Sequence, residues 1–364
     1  MTTDAIGGVW QYSLALARGL VGQQHCSVML VCLGEPRRED LAEASATHGT
    51  ELVTLPLRLE WMPDSARDVA VAIDRVDRLA QLWKPDLIHS NQFCFGLLTT
   101  RKARVVVAHS DVLSWRKWHL QQRAETRAPA SPRQPEPDPA LRAYRDLVAA
   151  GLAGASAVVC PSHFMARSLL EIYSRPSLVI HNGLWPDLYP SRPKKAMALL
   201  AGRLWDEGKG AATAVRAMEG LPMELDLLGP TVGPSGEATC LPSAPNVRYL
   251  GARSWSATRE TMAEAQIYLA TSRYEPFGLA ALEAAFCGCA LVAADTPSYR
   301  EVWGSAAVYF PPGDASALRH RVTELINNPL LAERMGSVAR TRALELYTAD
   351  RMAQCYWDLY NALQ

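Results

Sequence analysis

The sequence has no surplus of charge of either sign: 37 Lys and Arg balance 37 Asp and Glu. A general nucleic-acid binder needs excess cations to displace phosphate counterions, so nucleic acid is not an expected partner. No apolar run approaches the roughly 18–20 residues that a membrane span requires. The opening MTTDAIGGVWQYS has neither the basic start nor the apolar stretch of a secretory leader. The eight cysteines form no C-x-x-C pair, which leaves no zinc ribbon or thioredoxin-type site. Cys287 and Cys289 flank Gly288, a lesser metal or redox signal, and buried reduced thiols are the expectation. Gly7-Gly8 opens a helix without the G-x-G-x-x-G spacing, which argues against a dinucleotide-binding half.

What is present is ample material for a core. The chain has 364 residues, 49% of them hydrophobic and 20% charged, which fits two domains and excludes wholesale disorder. Short β-rich runs alternate with helical stretches. SVMLVCL (27–33), DLIHS (86–90), RVVVAH (104–109), SAVVC (156–160) and SLVIHN (177–182) read as buried parallel strands. Residues 7–20 and 66–82 carry apolar side chains at helical spacing. A second series follows at 196–202, 223–229, 246–251, 267–272, 290–295 and 306–310. This rhythm predicts an α/β protein of two Rossmann-like, doubly wound parallel-sheet domains with a cleft between them.

The expected division is an N-terminal domain over 1–188, a linker over 189–195 (YPSRPKK), a C-terminal domain over 196–345 and a last helical segment over 346–364. Residues 128–139, APASPRQPEPDP, hold five prolines and read as a mobile loop; 231–245 reads as a loop as well. Only six residues precede Gly7-Gly8, so the first strand is expected to be very short or nearly absent.

Four constellations point to chemistry. In TSRYEPFGLAALEAAFCGCALVAAD (271–295), Pro276 suits a first helical turn, and the free amides of a helix start favour a phosphate or oxyanion. Gly278 permits close approach of a ligand, and Glu275 and Glu283 are placed to accept hydrogen bonds from hydroxyls of one long ligand. The alternative makes Glu275 a helix cap and Glu283 a solvated carboxylate. In ALLAGRLWDEGKG (198–210), Arg203 and Lys209 follow a strand that ends in Gly202, an arrangement suited to a diphosphate or, alternatively, to a structural arginine. Gly7 and Gly8 form the third. His109 ends an apolar strand, where it either meets a substrate hydroxyl or is a satisfied structural histidine; Asp111 follows closely.

The segment EPFGLAALE resembles the Glu-x7-Glu signature of retaining nucleotide-sugar glycosyltransferases of family 4, which have the GT-B fold. AGRLWDEGKG is similar to that family's donor-phosphate loop, VIHNGL (179–184) to the strand end before its linker, VAADTPSYREV (292–302) to the region after its signature helix, and GGVWQYSLALARGL to its opening helix. The resemblance implies that Arg203 and Lys209 neutralise the donor diphosphate, Glu283 holds the ribose and Glu275 the sugar. It also implies donor contacts from Phe277, Gly278, Leu279 and Ala280, from the Gly7-Gly8 loop and from His109, with Gly229 and Gly251 shaping the base site. The last helix would cross back onto the N-terminal domain. The chemistry implied is transfer with retention, without an enzymic nucleophile, resident cofactor or metal; no D-x-D element is flanked by strands.

A GT-B nucleotide-sugar epimerase is the runner-up, for which Asp86, Asp111 and Glu125 are the available carboxylates; a non-catalytic sugar-nucleotide-binding protein ranks last. A carbohydrate, lipid-linked or small-molecule acceptor is expected. Residues 101–145 hold ten Lys and Arg against four Asp and Glu, with Trp115 and Trp118 interleaved. This segment is either a solvated loop or a weak peripheral membrane surface. The expected location is the cytoplasm, including its membrane face.

Overall fold

The computed structural model describes residues 1–24, 26–45, 49–125, 138–233, 236 and 238–364. It divides into two compact units, Met1–Gly183 together with Ala349–Gln364, and Leu184–Thr348.

The first unit runs β1 (Thr2–Asp4), α1 (Gly8–Gln24), β2 (Val28–Leu33), α2 (Arg38–Ser45), β3 (Thr50–Leu55), α3 (Ala66–Trp83), β4 (Leu87–Ser90), β5 (Ala103–Val107), α4 (Val112–Glu125), α5 (Pro139–Gly154), β6 (Ala157–Cys160), α6 (His163–Tyr173) and β7 (Leu178–Val179). Its strands pair in parallel as β1-β2-β3 and as β4-β5-β6-β7. The opening strand is thus present: three buried residues pair with Val31–Leu33 of β2. Among the described residues no ladder joins β1 to β4. Asn91 bridges them instead, its backbone N–H donating to Thr2 Oγ1 at 3.0 Å and its Nδ2 to the Thr2 carbonyl at 2.7 Å. Strand order therefore reverses between β1 and β4, and a parallel sheet offers ligands its crevice at such a point, beyond the carboxyl ends of the strands.

The second unit contains β8 (Lys195–Ala201), α7 (Ala211–Met218), β9 (Glu224–Leu228), β10 (Val247–Gly251), α8 (Trp255–Glu264), β11 (Ala265–Ala270), α9 (Leu279–Phe286), β12 (Ala290–Ala294), α10 (Pro297–Trp303), β13 (Val308–Phe310), α11 (Ala315–Asn327) and α12 (Pro329–Leu346). One all-parallel sheet has the order β10-β9-β8-β11-β12-β13. Here the reversal lies between β8 and β11. Strand β12 is buried at every residue, as a strand covered by helices on both faces must be. The last helix, α13 (Ala349–Ala362), belongs to the first unit: it packs on α1, where Gln24 Nε2 donates to Gln354 Oε1 at 3.1 Å.

Several expectations change. The crossings between units fall at Gly183/Leu184 and Thr348/Ala349, so the stretch 189–195 is not a free linker. Tyr189 is buried with its ring stacked on Phe286, and Lys194 Nζ donates to the carbonyls of Ala263 and Cys287 at 2.9 and 2.7 Å. Lys195 already lies in β8. The Pro-rich loop 128–139 falls outside the described residues except for Asp138 and Pro139, which start a helix: Asp138 accepts from the Ala140 N–H, and Pro139 takes the first helical position. Of the thiols, Cys32, Cys94, Cys160, Cys287 and Cys289 are buried, whereas Cys240 and Cys355 are exposed. No described helix is long and apolar enough to cross a membrane.

Candidate functional site

The loops that follow β8 and β11, the two strands flanking the reversal, carry most of the charged candidates of the second unit. After β8, Gly202 turns the chain and Arg203 follows. The turn Glu207–Lys209 is capped by Asp206, which accepts from the Gly208 N–H, and then places Lys209. After β11, the Arg273 N–H donates to the Gly208 carbonyl at 2.7 Å and Thr271 Oγ1 to the Lys209 carbonyl at 2.7 Å. These two bonds dock one loop on the other. Lys209 Nζ consequently meets Glu275 Oε2 at 2.6 Å, with both side chains largely buried (20% and 16% exposed), and Ser272 Oγ donates to the same oxygen at 3.3 Å. The chain brings this pair together across 66 residues, which no local pattern announces. Arg203 pairs with Asp206 at 3.2 Å and lies over the Trp205 ring.

Helix α9 begins at Leu279, later than Pro276 suggests, because Gly278 takes the N-cap position with φ +94°. That conformation favours glycine. A Cβ at this position would stand 2.8 Å from the Tyr299 ring, so the turn lies flat on buried Tyr299. No side chain of the N-cap residue covers the helix start. The first amides, at Leu279 and Ala280, have no acceptor within the helix by its geometry, which makes them donors suited to an anion. Phe277 is buried, its ring edge-on to Tyr347 at 5.5 Å, so its side chain serves packing.

Glu283 lies in the second turn of α9 and is only 5% exposed, which excludes the solvated alternative. The Tyr189 hydroxyl donates to Glu283 Oε1 at 3.1 Å. Burial, and then the neighbouring carboxylate, push the Tyr189 pKa well above its ordinary value, so the phenol stays a donor. Arg259 stands over the same ring. Tyr189 escapes sequence analysis because the two prolines and three cations around it read as solvent-facing.

Gly229 follows β9 and Gly251 ends β10. The Gly229 N–H donates to the Gly251 carbonyl at 2.9 Å, and Gly229 lies so close to Gly202 that a Cβ would fall 1.7 Å from the Gly202 carbonyl oxygen. Gly229 thus permits the close approach of two strand ends, while Gly251 is exposed.

In the first unit, Gly7 and Gly8 follow β1, where Asp4 Oδ1 accepts from the Ile6 N–H at 2.8 Å and tightens the turn. His109 follows β5, part-exposed, with Tyr12 edge-on at a ring separation of 4.4 Å and Asn91 Oδ1 at 2.9 Å from its Nε2. Burial pushes its pKa down to about 3, so His109 is a neutral imidazole near pH 7. Both sequence elements sit at carboxyl ends of strands of this unit.

The carboxylates considered for an epimerase belong to different elements. Asp86 precedes β4, at the amino end of the strand. Asp111 serves α4, accepting from the Ser114 N–H at 2.7 Å and from the Tyr173 hydroxyl at 2.8 Å; burial raises its pKa despite these bonds. Glu125 is the last residue of α4. On the same helix, Lys117 pairs with Glu171 at 2.6 Å and Trp118 packs edge-on to Phe164, so this part of the basic stretch is folded onto α6. Among the described residues no group of His, Cys, Asp and Glu has the arrangement of a metal site.

Two parallel Rossmann-like units of this design define the GT-B class, and solved structures of that class superpose on the whole chain. Sucrose-phosphate synthase from Thermosynechococcus elongatus does so with a TM-score of 0.76 at 18% identity, covering 100% of this chain and 98% of that one. Anabaena Alr3699/HepE, determined in complex with UDP and glucose, does so with a TM-score of 0.72 at 18% identity, covering 99% of each. Residues 6–188 match the model of Glycosyltransferase Family 4, and residues 186–342 match that of Glycosyl transferases group 1. The chain belongs to Glycosyltransferase Family 4.

Among curated proteins it is 28% identical over 251 residues to alpha-maltose-1-phosphate synthase of Mycobacterium tuberculosis, covering 57% of this chain and 63% of that protein. It is 26% identical over 284 residues to D-rhamnosyltransferase WbpZ of Pseudomonas aeruginosa, covering 72% and 67%. The match thus spans less than two thirds of the synthase.

Proposed function

We propose that the protein transfers a hexosyl group from a nucleoside-diphosphate sugar to a hydroxyl of a carbohydrate, lipid-linked or small-molecule acceptor, with retention at the anomeric carbon. The observation that carries this reading is the docking of the Arg203–Lys209 loop onto the loop that leads into α9, which gathers two cations, a carboxylate and free helix amides at one strand reversal. Family membership and the UDP and glucose bound by the structurally similar HepE support the same donor class.

In the proposed reaction the acceptor oxygen bonds to the anomeric carbon as the bond to the diphosphate oxygen breaks. The electron pair goes to the leaving diphosphate, whose oxygen takes the acceptor proton. Arg203, Lys209 and the amides of Leu279 and Ala280 would stabilise the charge that develops there, a role that needs no resident metal. Glu283, oriented by Tyr189, would accept from the ribose, and Glu275 from the sugar. His109 would contribute a neutral imidazole to a substrate hydroxyl. A peripheral position at the cytoplasmic membrane face belongs to this proposal only for a lipid-linked acceptor.

A thermal-shift panel of nucleoside diphosphates and their sugars tests the reading. At least one member is expected to raise the melting temperature in a concentration-dependent way, since a ligand of the native state stabilises by mass action. A panel that leaves the transition unmoved at millimolar concentrations contradicts it.

A further inference from the structure

We infer that Asn91 is a positioning residue: it holds His109 as the Nε2–H tautomer and so presents the Nδ1 lone pair to a substrate hydroxyl. The inference rests on His109 serving the transfer proposed above.

The proton position on His109 follows from the partners of the Asn91 amide. The Thr2 carbonyl can only accept, so the nitrogen of the Asn91 amide must face it, at 2.7 Å. Ser13 uses its hydroxyl hydrogen on the Val9 carbonyl at 2.8 Å, so it must accept the second Nδ2 hydrogen, at 3.0 Å. The orientation of this amide is therefore fixed by its partners. Its Oδ1 then faces two imidazole nitrogens, Nε2 of His109 at 2.9 Å and Nε2 of His89 at 3.2 Å. A carbonyl oxygen offers lone pairs and no hydrogen, so His109 Nε2 must donate, whereas His89 Nε2 also has the Tyr12 hydroxyl at 3.3 Å. His89 has a partner at each nitrogen, its Nδ1 lying 2.6 Å from the Tyr360 hydroxyl of α13.

His109 differs from His89 at this last step. Among the described residues none donates to its Nδ1, and the residue, at the carboxyl end of β5, is part-exposed, whereas His89 is buried. Tyr12 packs edge-on against the His109 ring and restrains it. The outcome is an acceptor, not a donor, offered to a ligand. It selects a hydroxyl that gives its hydrogen to the protein.

The tautomer is directly visible in the nitrogen chemical shifts of histidine in the whole, 15N-labelled protein, with His109 identified by its loss in His109→Ala. The wild-type spectrum near pH 7 is expected to show His109 protonated on Nε2 and unprotonated on Nδ1. In Asn91→Leu the two forms should mix, and turnover at saturating donor should fall about tenfold, the worth of one hydrogen bond. Nucleoside diphosphate affinity, assigned to the other unit, should hold.

A wild-type His109 protonated on Nδ1, or an unchanged tautomer in Asn91→Leu, overturns the inference. Should Asn91→Leu fail to fold, the wild-type spectrum decides alone. Full turnover in His109→Ala would instead refute the assigned role of His109 in transfer, whatever the spectra show of its tautomer.

Discussion

Replacing Glu275 with Gln is expected to lower sugar transfer by about 10²–10³-fold, the scale of losing one preorganised electrostatic contact to the reacting group. Nucleoside diphosphate binding should survive or tighten. Glu275 sits 2.6 Å from Lys209, so neutralising it removes a carboxylate that competes with phosphate for that ammonium. Gln keeps an oxygen that can accept from Lys209 Nζ, so neutralising this largely buried pair should cost the fold about 1–3 kcal/mol and leave it intact. Turnover, calorimetry and melting temperature on one preparation separate these effects. Near-normal turnover would reduce Glu275 to a partner of Lys209 and a neighbour of the helix start.

A change of Gly229 to Ala should be the most damaging small substitution in the second unit. The added Cβ would lie 1.7 Å from the Gly202 carbonyl oxygen, and the backbone stands at φ +135°. Neither neighbour yields easily: Gly202 donates to the Leu228 carbonyl and Gly229 to the Gly251 carbonyl, both at 2.9 Å. Relief requires the ends of β8 and β9 to part, next to Arg203. We expect a loss of about 3 kcal/mol, at the upper end for overpacking, together with loss of diphosphate binding. Gly220 provides the control, since it also has positive φ (+70°) but nothing within 4 Å of the place a methyl group would take. Gly220→Ala should cost about 1 kcal/mol through backbone strain alone. Equal urea midpoints for the two variants would contradict the packing argument.

The elements legible in the sequence are those with a strong local signature. Buried parallel strands such as LVAA and the cluster EPFGLAALE announce themselves by composition, and the βα alternation of the second unit follows from the strands' spacing between helices. Strand β3 is not legible, because TELVTL lies at the sheet edge, half-exposed and interrupted by Glu51, so it lacks the continuous apolar run of a central strand. The start of helix α9 is ambiguous in the sequence because Pro276 fits a first helical turn as well as it fits the loop before a glycine N-cap.

The interior of the candidate site is not legible for a different reason. Tyr189 on Glu283, Lys209 on Glu275 and Asn91 on Thr2 join residues 94, 66 and 89 positions apart. Those pairings exist only once the sheets are formed. The residue types at strand ends can be singled out from the sequence, but their partners, and hence their protonation and orientation, are properties of the tertiary structure.

The central claim is that the second unit grips a diphosphate through the loops after β8 and β11. Calorimetric titration of the wild type and Lys209→Ala with UDP, GDP and ADP addresses it most directly. The account predicts that at least one of the three binds the wild type and that its affinity falls about 10–100-fold in the variant, as for a lost charge-assisted hydrogen bond. Identical affinities, or no binding of any of the three to the wild type at millimolar concentration, would contradict it.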